Sequence, residues 1–270
     1  MLLDSLVDDA AVFPPGNATM PSAVDGYLRY SGTSAVAVLG RFLCPASRLP
    51  ECAADLADDI RLAVGVVADT GARGIGPALD FAARTHRLVV QAVEVALPAD
   101  AKDIRTASSE LVALLPVVDT YVEVPRKEGW REALDVLAEH GRYAKLRTGG
   151  AAGTVPPAAG VAAFITACIE RSLPFKCTAG LHHAVRWQDP TLGWHHGFVN
   201  LLAAVHAALS DGSSGAVVDA LELTRTDALL AALPQTDDER KAVRAVFHGF
   251  GSCNINDPIT DLQRLGLLPS

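Results

Sequence analysis

Apolar positions along the chain follow two alternating rhythms. Short, nearly continuous apolar runs lie at Ala10–Phe13, Ala35–Leu39, Arg61–Ala68, Leu88–Val95, Thr120–Val124, Tyr143–Arg147, Phe175–Ala179 and Val246–Phe250. Between them, Ser22–Tyr30, Pro50–Ala57, Ile75–Thr85, Lys102–Leu115, Gly129–Glu139 and Pro157–Arg171 repeat their apolar residues at helical spacing. The first set predicts strands and the second helices. Alternating strands and helices imply right-handed βαβ units and a parallel sheet. Near-continuous apolar strands suit a sheet covered on both faces. Eight units in one chain predict a single α/β domain over residues 1–270, a (β/α)8 TIM barrel. A doubly wound open sheet is the alternative. No G-x-G-x-x-G follows the first strand, and Gly71–Gly76 (G-A-R-G-I-G) has the wrong spacing for a dinucleotide site.

The rhythm changes after Ala179. Gly193–Leu209 reads as an amphipathic helix, Asp211–Gly215 as a polar turn and Ala216–Leu233 as helical. Thr236 with Glu239 forms a capping-box pattern. With Val246–Phe250 as the eighth strand, these segments form an extra helical excursion before the last strand. The alternative places that strand at Ala216–Leu221. The run F-H-G-F-G-S-C-N followed by D-P-I-T-D-L favours the former, having the form of strand, turn and proline-started helix.

Composition narrows the classes. The 270 residues are 50% hydrophobic, enough for a large core. A net charge of −8 argues against nucleic acid or an anionic membrane as partner. No apolar run approaches a membrane span, and Met1-Leu2-Leu3-Asp4 lacks the basic start of a signal peptide. Five cysteines, odd in number and without paired spacing, point to reduced thiols and a cytoplasmic location. Acidic barrels often self-associate, so a homo-oligomer is an expectation on that ground alone.

Two of the five lysines, Lys145 and Lys176, fall inside strands that look buried, where an ammonium needs a partner or a purpose. Parity places Lys145 on one face with Tyr143 and Arg147, and Lys176 on one face with Thr178. Alternation turns that polar set into the barrel and the apolar set toward the helices. Neighbouring strands run about 4.8 Å apart, so the two ammonium groups should be close. Mutual repulsion and desolvation would lower at least one pKa, and a neutral amine is what Schiff-base formation requires. Static ion pairs with Glu94 or Glu123 are the competing expectation.

The pair A-K-L-R-T-G-G and F-K-C-T-A-G-L resembles the sixth- and seventh-strand motifs of class I aldolases of the deoxyribose-phosphate aldolase type. That resemblance implies Lys145 as the Schiff-base nucleophile and Lys176 as the lysine that tunes it. It also implies that Glu94, in Q-A-V-E-V-A-L, occupies the place of the family's proton-transferring aspartate. Apart from the resemblance, Glu94 or Glu123 is expected to shuttle protons, directly or through a water. Phe250-Gly251-Ser252-Cys253 is similar to the family's phosphate loop. Ala179-Gly180-Leu181-His182-His183 departs from its glycine-rich phosphate segment. The stretches K-C-T-A-G-L-H-H, W-H-H-G-F-V-N and F-G-S-C-N-I-N-D-P together resemble a widespread bacterial group of uncharacterised aldolase-type barrel proteins. The expected activity is a Schiff-base lyase acting on a small carbonyl compound, with no cofactor. Arg147, Thr178, His182, His183, Ser252 and Asn254 are the expected substrate-binding residues.

The paired histidines His182–His183 and His195–His196 should share the catalytic rim. A metal-dependent hydrolase or lyase, using one His from each pair with Glu94 or Glu123, is the runner-up. Adjacent histidines have no ligand spacing of their own, and no H-E-x-x-H occurs. A non-catalytic binding or scaffold barrel is the third reading. Asp8 and Asp9 before the first strand, Arg41 after the second, Asp69 after the third, Arg126 after the fifth, the Gly149–Gly153 loop and Cys253 are weaker rim candidates.

Overall fold

The computed structural model describes residues 1–54, 56–149 and 155–269. Eight parallel strands close into a barrel in the order β1-β10-β7-β6-β5-β4-β3-β2. Its strands are β1 (Val7–Asp9), β2 (Leu39–Pro45), β3 (Leu62–Val67), β4 (Leu88–Ala96), β5 (Thr120–Glu123), β6 (Tyr143–Arg147), β7 (Phe175–Thr178) and β10 (Phe247–Ser252). The helices that cover the first six strands are α1 (Met20–Ser31), α2 (Leu49–Ala54), α3 (Ile75–Thr85), α4 (Ile104–Leu114), α5 (Trp130–Glu139) and α6 (Ala158–Glu170). The barrel and its alternating helices are those the sequence pattern predicts.

The main apolar core lies between sheet and helices. Phe175 on β7 touches Phe164 on α6 and Phe247 on β10, with ring centroids 5.6 and 5.3 Å apart. All three side chains are fully buried, and burying each contributes about 1.5–3 kcal/mol. The inside of the barrel is polar instead. Tyr121 Oη lies 2.7 Å from His248 Nδ1, and Tyr143 packs edge-on against the same imidazole. Burial pushes His248 down to about 4, helped by the nearby Arg244 and Arg41, so its ring is neutral at pH 7.

Two strands sit elsewhere than expected. The first is Val7–Asp9, ahead of Ala10–Phe13. The second is Leu39–Pro45, and Ala35–Leu39 instead begins within a 3-10 turn at Ser34–Ala37, capped by Thr33 Oγ1 accepting from Ala35 N at 3.2 Å. Both true strands carry an ionisable residue toward the barrel axis, Asp8 and Arg41, which an apolar-run criterion passes over.

The excursion after β7 is also confirmed, with a different start. Trp187–Asp189 (β8) and Gly193–His195 (β9) form an antiparallel hairpin outside the barrel sheet. Asp189 Oδ1 accepts from the N–H groups of Thr191 and Leu192 at 2.7 and 2.8 Å, and Gly193 adopts φ +85° to complete the turn. The helix expected over Gly193–Leu209 therefore begins only at Phe198, as α7 (Phe198–Ser210). Ala216–Leu233 divides into α8 (Ser214–Glu222) and α9 (Thr226–Ala231), so the alternative eighth strand is helical. Then α10 (Asp237–Val246) starts on the predicted Thr236–Glu239 capping box, and α11 (Asn256–Arg264) closes the chain. Buried Asn200 ties the excursion together: it accepts from Arg186 N and donates to Ala220 O and Leu223 O, at 2.8–2.9 Å. No described helix is long and apolar enough to cross a membrane.

Candidate active site

Strand register brings the predicted residues together. Lys145 pairs with Lys176 across β6 and β7, and Glu123 pairs with Lys145 across β5 and β6. Residues level in a parallel sheet face the same side, so all three enter the barrel together. Glu94 joins them from β4. Its two carboxylate oxygens divide the lysines between them: Oε1 accepts from Lys176 and Oε2 lies 2.8 Å from Lys145 Nζ. Glu123 Oε2 lies 3.2 Å from Lys145, and its Oε1 accepts from Arg147 Nε at 2.8 Å.

Asp8, missed as a strand residue by the sequence reading, completes the arrangement. Its Oδ2 accepts from Lys176 and lies 3.7 Å from Arg41 Nη1, while its Oδ1 accepts from Arg41 N at 2.6 Å. Gly40 is required here, since a Cβ would stand 2.3 Å from Asp8 Oδ1. The result is an alternating row: Arg41, Asp8, Lys176, Glu94, Lys145, Glu123, Arg147. The signal for Asp8 was charge counting. Two buried lysines and an inward arginine need more carboxylate than Glu94 and Glu123 supply.

From Lys176 toward Arg147 the row grades from buried to open. Side-chain exposure is 2% at Lys176, 8% at Lys145, 16% at Glu123 and 53% at Arg147. Its electrostatics correct one expectation. Burial alone would neutralise Lys176, but Asp8 and Glu94 reverse that and hold its ammonium well above the ordinary lysine range. The neighbouring lysine does not lower it. Burial would likewise raise Glu94, yet Lys145 and Lys176 pull it down to about 2. Glu123 is also lowered: burial raises it, and Lys145 and Arg147 more than offset that.

A depressed carboxylate contributes stability above its unfolded pKa, and that stability is lost as pH falls through the folded value. For Glu94 the window runs from about 4.3 in the unfolded chain to about 2 in the fold. Denaturant unfolding from pH 5 to pH 2 should therefore show a steep loss, about 3 kcal/mol from this group. A flat profile over that range would contradict the pairing.

Asp9, at the end of β1, behaves oppositely. Burial pushes it up to about 6, the Ala11 N–H opposes that, and the adjacent Asp8 adds to it. A raised carboxyl pKa means stability present below the unfolded value and lost as pH rises to about 6. Asp9→Asn should accordingly be more stable than wild type at pH 7.5, by about 3 kcal/mol, and lose that advantage near pH 4. Thermal melts at the two pH values measure it.

A cavity of ≈ 810 Å³ opens over the row at the C-terminal ends of the strands, where barrel enzymes place their chemistry. Glu94, Lys145, Arg147 and Thr178 line it, together with Phe13, Pro14, Leu43, Val67, Trp187 and Leu192. Lys176 does not. Among the predicted substrate-binding residues, Arg147, Thr178 and His182 face this cavity. Arg147 presents a fork already engaged by Glu123. Ser252 and Asn254 stay outside it: Ser252 Oγ donates to Asn254 O at 2.9 Å, and Asn254 Oδ1 accepts from Asn256 N.

The histidine pairs diverge. His182 lies in the cavity, 4.0 Å from Cys253 Sγ, while His183 Nδ1 is 3.1 Å from Asp261 Oδ2 on α11. His195 stacks on Trp187 with centroids 4.8 Å apart, and His196 Nε2 bonds Pro156 O at 2.7 Å. Burial lowers His182, His195 and His196 and favours their neutral forms. Among the described residues, no three His, Cys, Asp or Glu side chains converge as metal ligands. Burial also raises Cys253, which keeps it a thiol. Of the weaker candidates, Arg41 lies within β2 and Asp69 accepts from Ser47 N at 3.1 Å. Arg126 lies against Gly160 on α6, and residues 150–153 of the Gly149–Gly153 loop lie outside the described residues. No protein-family model and no curated protein matches the chain.

Proposed function

We propose that this barrel is a lyase of the Schiff-base aldolase kind, with Lys145 as the nucleophile toward a small carbonyl compound. One observation carries the reading: of two lysines buried side by side, only Lys145 lines the cavity. Charge makes its surroundings suitable. An ammonium and a carbonyl condense to an iminium and water, so the charge on Nζ is the same before and after. Glu94 and Glu123 therefore stabilise the iminium as they stabilise the ammonium, without reorganising. Between those states Nζ gives up two of its three protons, both of which leave on the carbonyl oxygen as the released water, and Glu123, the more exposed of the two carboxylates, can relay them. The iminium then withdraws electrons from the adjacent carbon. Cleavage of the next carbon–carbon bond needs a base for the substrate hydroxyl proton, a role within reach of Glu94 or Glu123. Lys176, permanently charged, sets the field and does not react.

Double pairing of both lysines also favours a second reading, a non-catalytic barrel with static ion pairs. Borohydride reduction in the presence of a broad panel of aldehydes and ketones separates the two. Peptide mapping is expected to find the reduced adduct on Lys145 and none on Lys176. Protein free of adduct across the whole panel would leave the static barrel.

A further inference from the structure

The hairpin that walls the cavity holds polar atoms with nothing to bind. Trp187 Nε1 and both ring nitrogens of His195 are buried and have no hydrogen-bond partner among the described residues. His195 is 4% exposed and lines the cavity beside Trp187. Each buried donor or acceptor left unpaired costs about 1–3 kcal/mol, and three within one aromatic stack are costly unless a ligand satisfies them. β8 and β9 bond to each other and not to the barrel sheet. A shift of the hairpin that turned these nitrogens toward the cavity would leave the hydrogen bonds of the barrel sheet intact.

The charges say what kind of ligand suits the site. The row carries four cations, Arg41, Lys176, Lys145 and Arg147, against three carboxylates, Asp8, Glu94 and Glu123. Asp189, on the cavity wall, makes four against four. Both lining cations, Lys145 and Arg147, are already paired with carboxylates of the row. Much of the remaining wall is apolar, with Phe13, Pro14, Pro15, Leu43, Val67 and Leu192 beside Thr178 and His182. The cavity volume falls in the range of pockets for ring-containing ligands, about 300–1,000 Å³, and a three-carbon aldehyde would leave most of it empty.

We propose that the substrate is an uncharged carbonyl compound with a ring-sized apolar body, whose far oxygen is bound by the Trp187 indole N–H and the His195 imidazole. The carbonyl end addresses Lys145, so the proposal rests on the Schiff-base reading, while the hairpin subsite stands on its own geometry. His195 and Trp187 are then specificity-determining residues that sequence reading had weighed only as a metal ligand or not at all.

Two measurements test this. The first is calorimetric binding of 1,4-benzenedimethanol, which has no carbonyl and cannot react with a lysine. It should bind wild type saturably, and His195→Phe, which keeps the stack on Trp187, should weaken it about tenfold. Trp187→Phe serves as a second variant, and circular dichroism checks that both fold. The second is borohydride trapping of 4-(hydroxymethyl)benzaldehyde, glyceraldehyde and glyceraldehyde 3-phosphate, each rate divided by that for Nα-acetyllysine. The ring aldehyde should be trapped fastest. Faster trapping of either triose, or diol binding that is absent or indifferent to both substitutions, overturns the proposal. Diol binding that depends on His195 with no aldehyde trapped at all would keep the subsite and remove the Schiff-base reading.

Discussion

Lys176→Met should destabilise the fold by about 3–5 kcal/mol, the usual cost of removing one partner from a buried ion pair. The substitution keeps the length and apolar stem of the side chain. It deletes the charge that Asp8 and Glu94 share at 2% exposure. Each carboxylate retains one further cation, Arg41 or Lys145, so the effect is a deficit of one charge and not two stranded anions. Against a total stability of about 5–15 kcal/mol, the loss is large enough to read directly in denaturant midpoints. Its pH dependence carries the diagnosis. With the ammonium gone, Glu94 should protonate at higher pH than in wild type, so the deficit should shrink on acidification toward pH 4. A loss below about 1 kcal/mol, the range of surface pairs, would show that the row is open to water and not a buried network.

Lys145→Arg should leave the fold nearly untouched and abolish the chemistry. The guanidinium keeps a cation between Glu94 and Glu123, yet it remains protonated at any working pH and cannot form an imine. Stability should stay within about 1 kcal/mol of wild type. Borohydride adducts should disappear, and any lyase activity should fall on the order of 10⁴-fold, about 5.5 kcal/mol of transition-state stabilisation. The comparison with Lys176→Met matters as much as either result. Lys145 is expected to be replaceable by another cation for folding yet essential for reaction, whereas Lys176 is expected to matter chiefly for folding. If Lys145→Arg retained full trapping, the nucleophile would lie elsewhere and the reading would fail.

How far the sequence could be read depended on which face of each strand carried charge. Tyr143–Arg147 was legible to the residue because Ala144 and Leu146 mark the outward face and a helix end precedes it. β1 and β2 were displaced because Asp8 and Arg41 interrupt their apolar count, although both are inward barrel positions. The hairpin strands have three residues each, too short for a period-two pattern, while the Asp189–Gly193 turn chemistry was present to be seen. In the site, strand parity was enough to predict Lys145 and Lys176 as neighbours. It could not foresee that a carboxylate from β1 would keep Lys176 charged, since that contact spans 168 positions. Adjacent histidines were read as pairs, but successive side chains diverge, and only one of each pair reaches the cavity.

That 168-residue span has a kinetic meaning. Lys176 meets Asp8 only when β10 has entered between β7 and β1 and the sheet has closed on itself. An open sheet lacking its first strand buries the β7 lysine with half its counter-charge. The inner ion pair is therefore expected to form late on the folding route, after much of the long-range ordering entropy has been paid. Interactions absent from the transition state govern the rate of unfolding and leave the rate of folding alone. The charged row is then expected to act as a latch on the closed barrel: Lys176→Met should speed unfolding and leave the folding rate nearly unchanged, which stopped-flow chevrons measure.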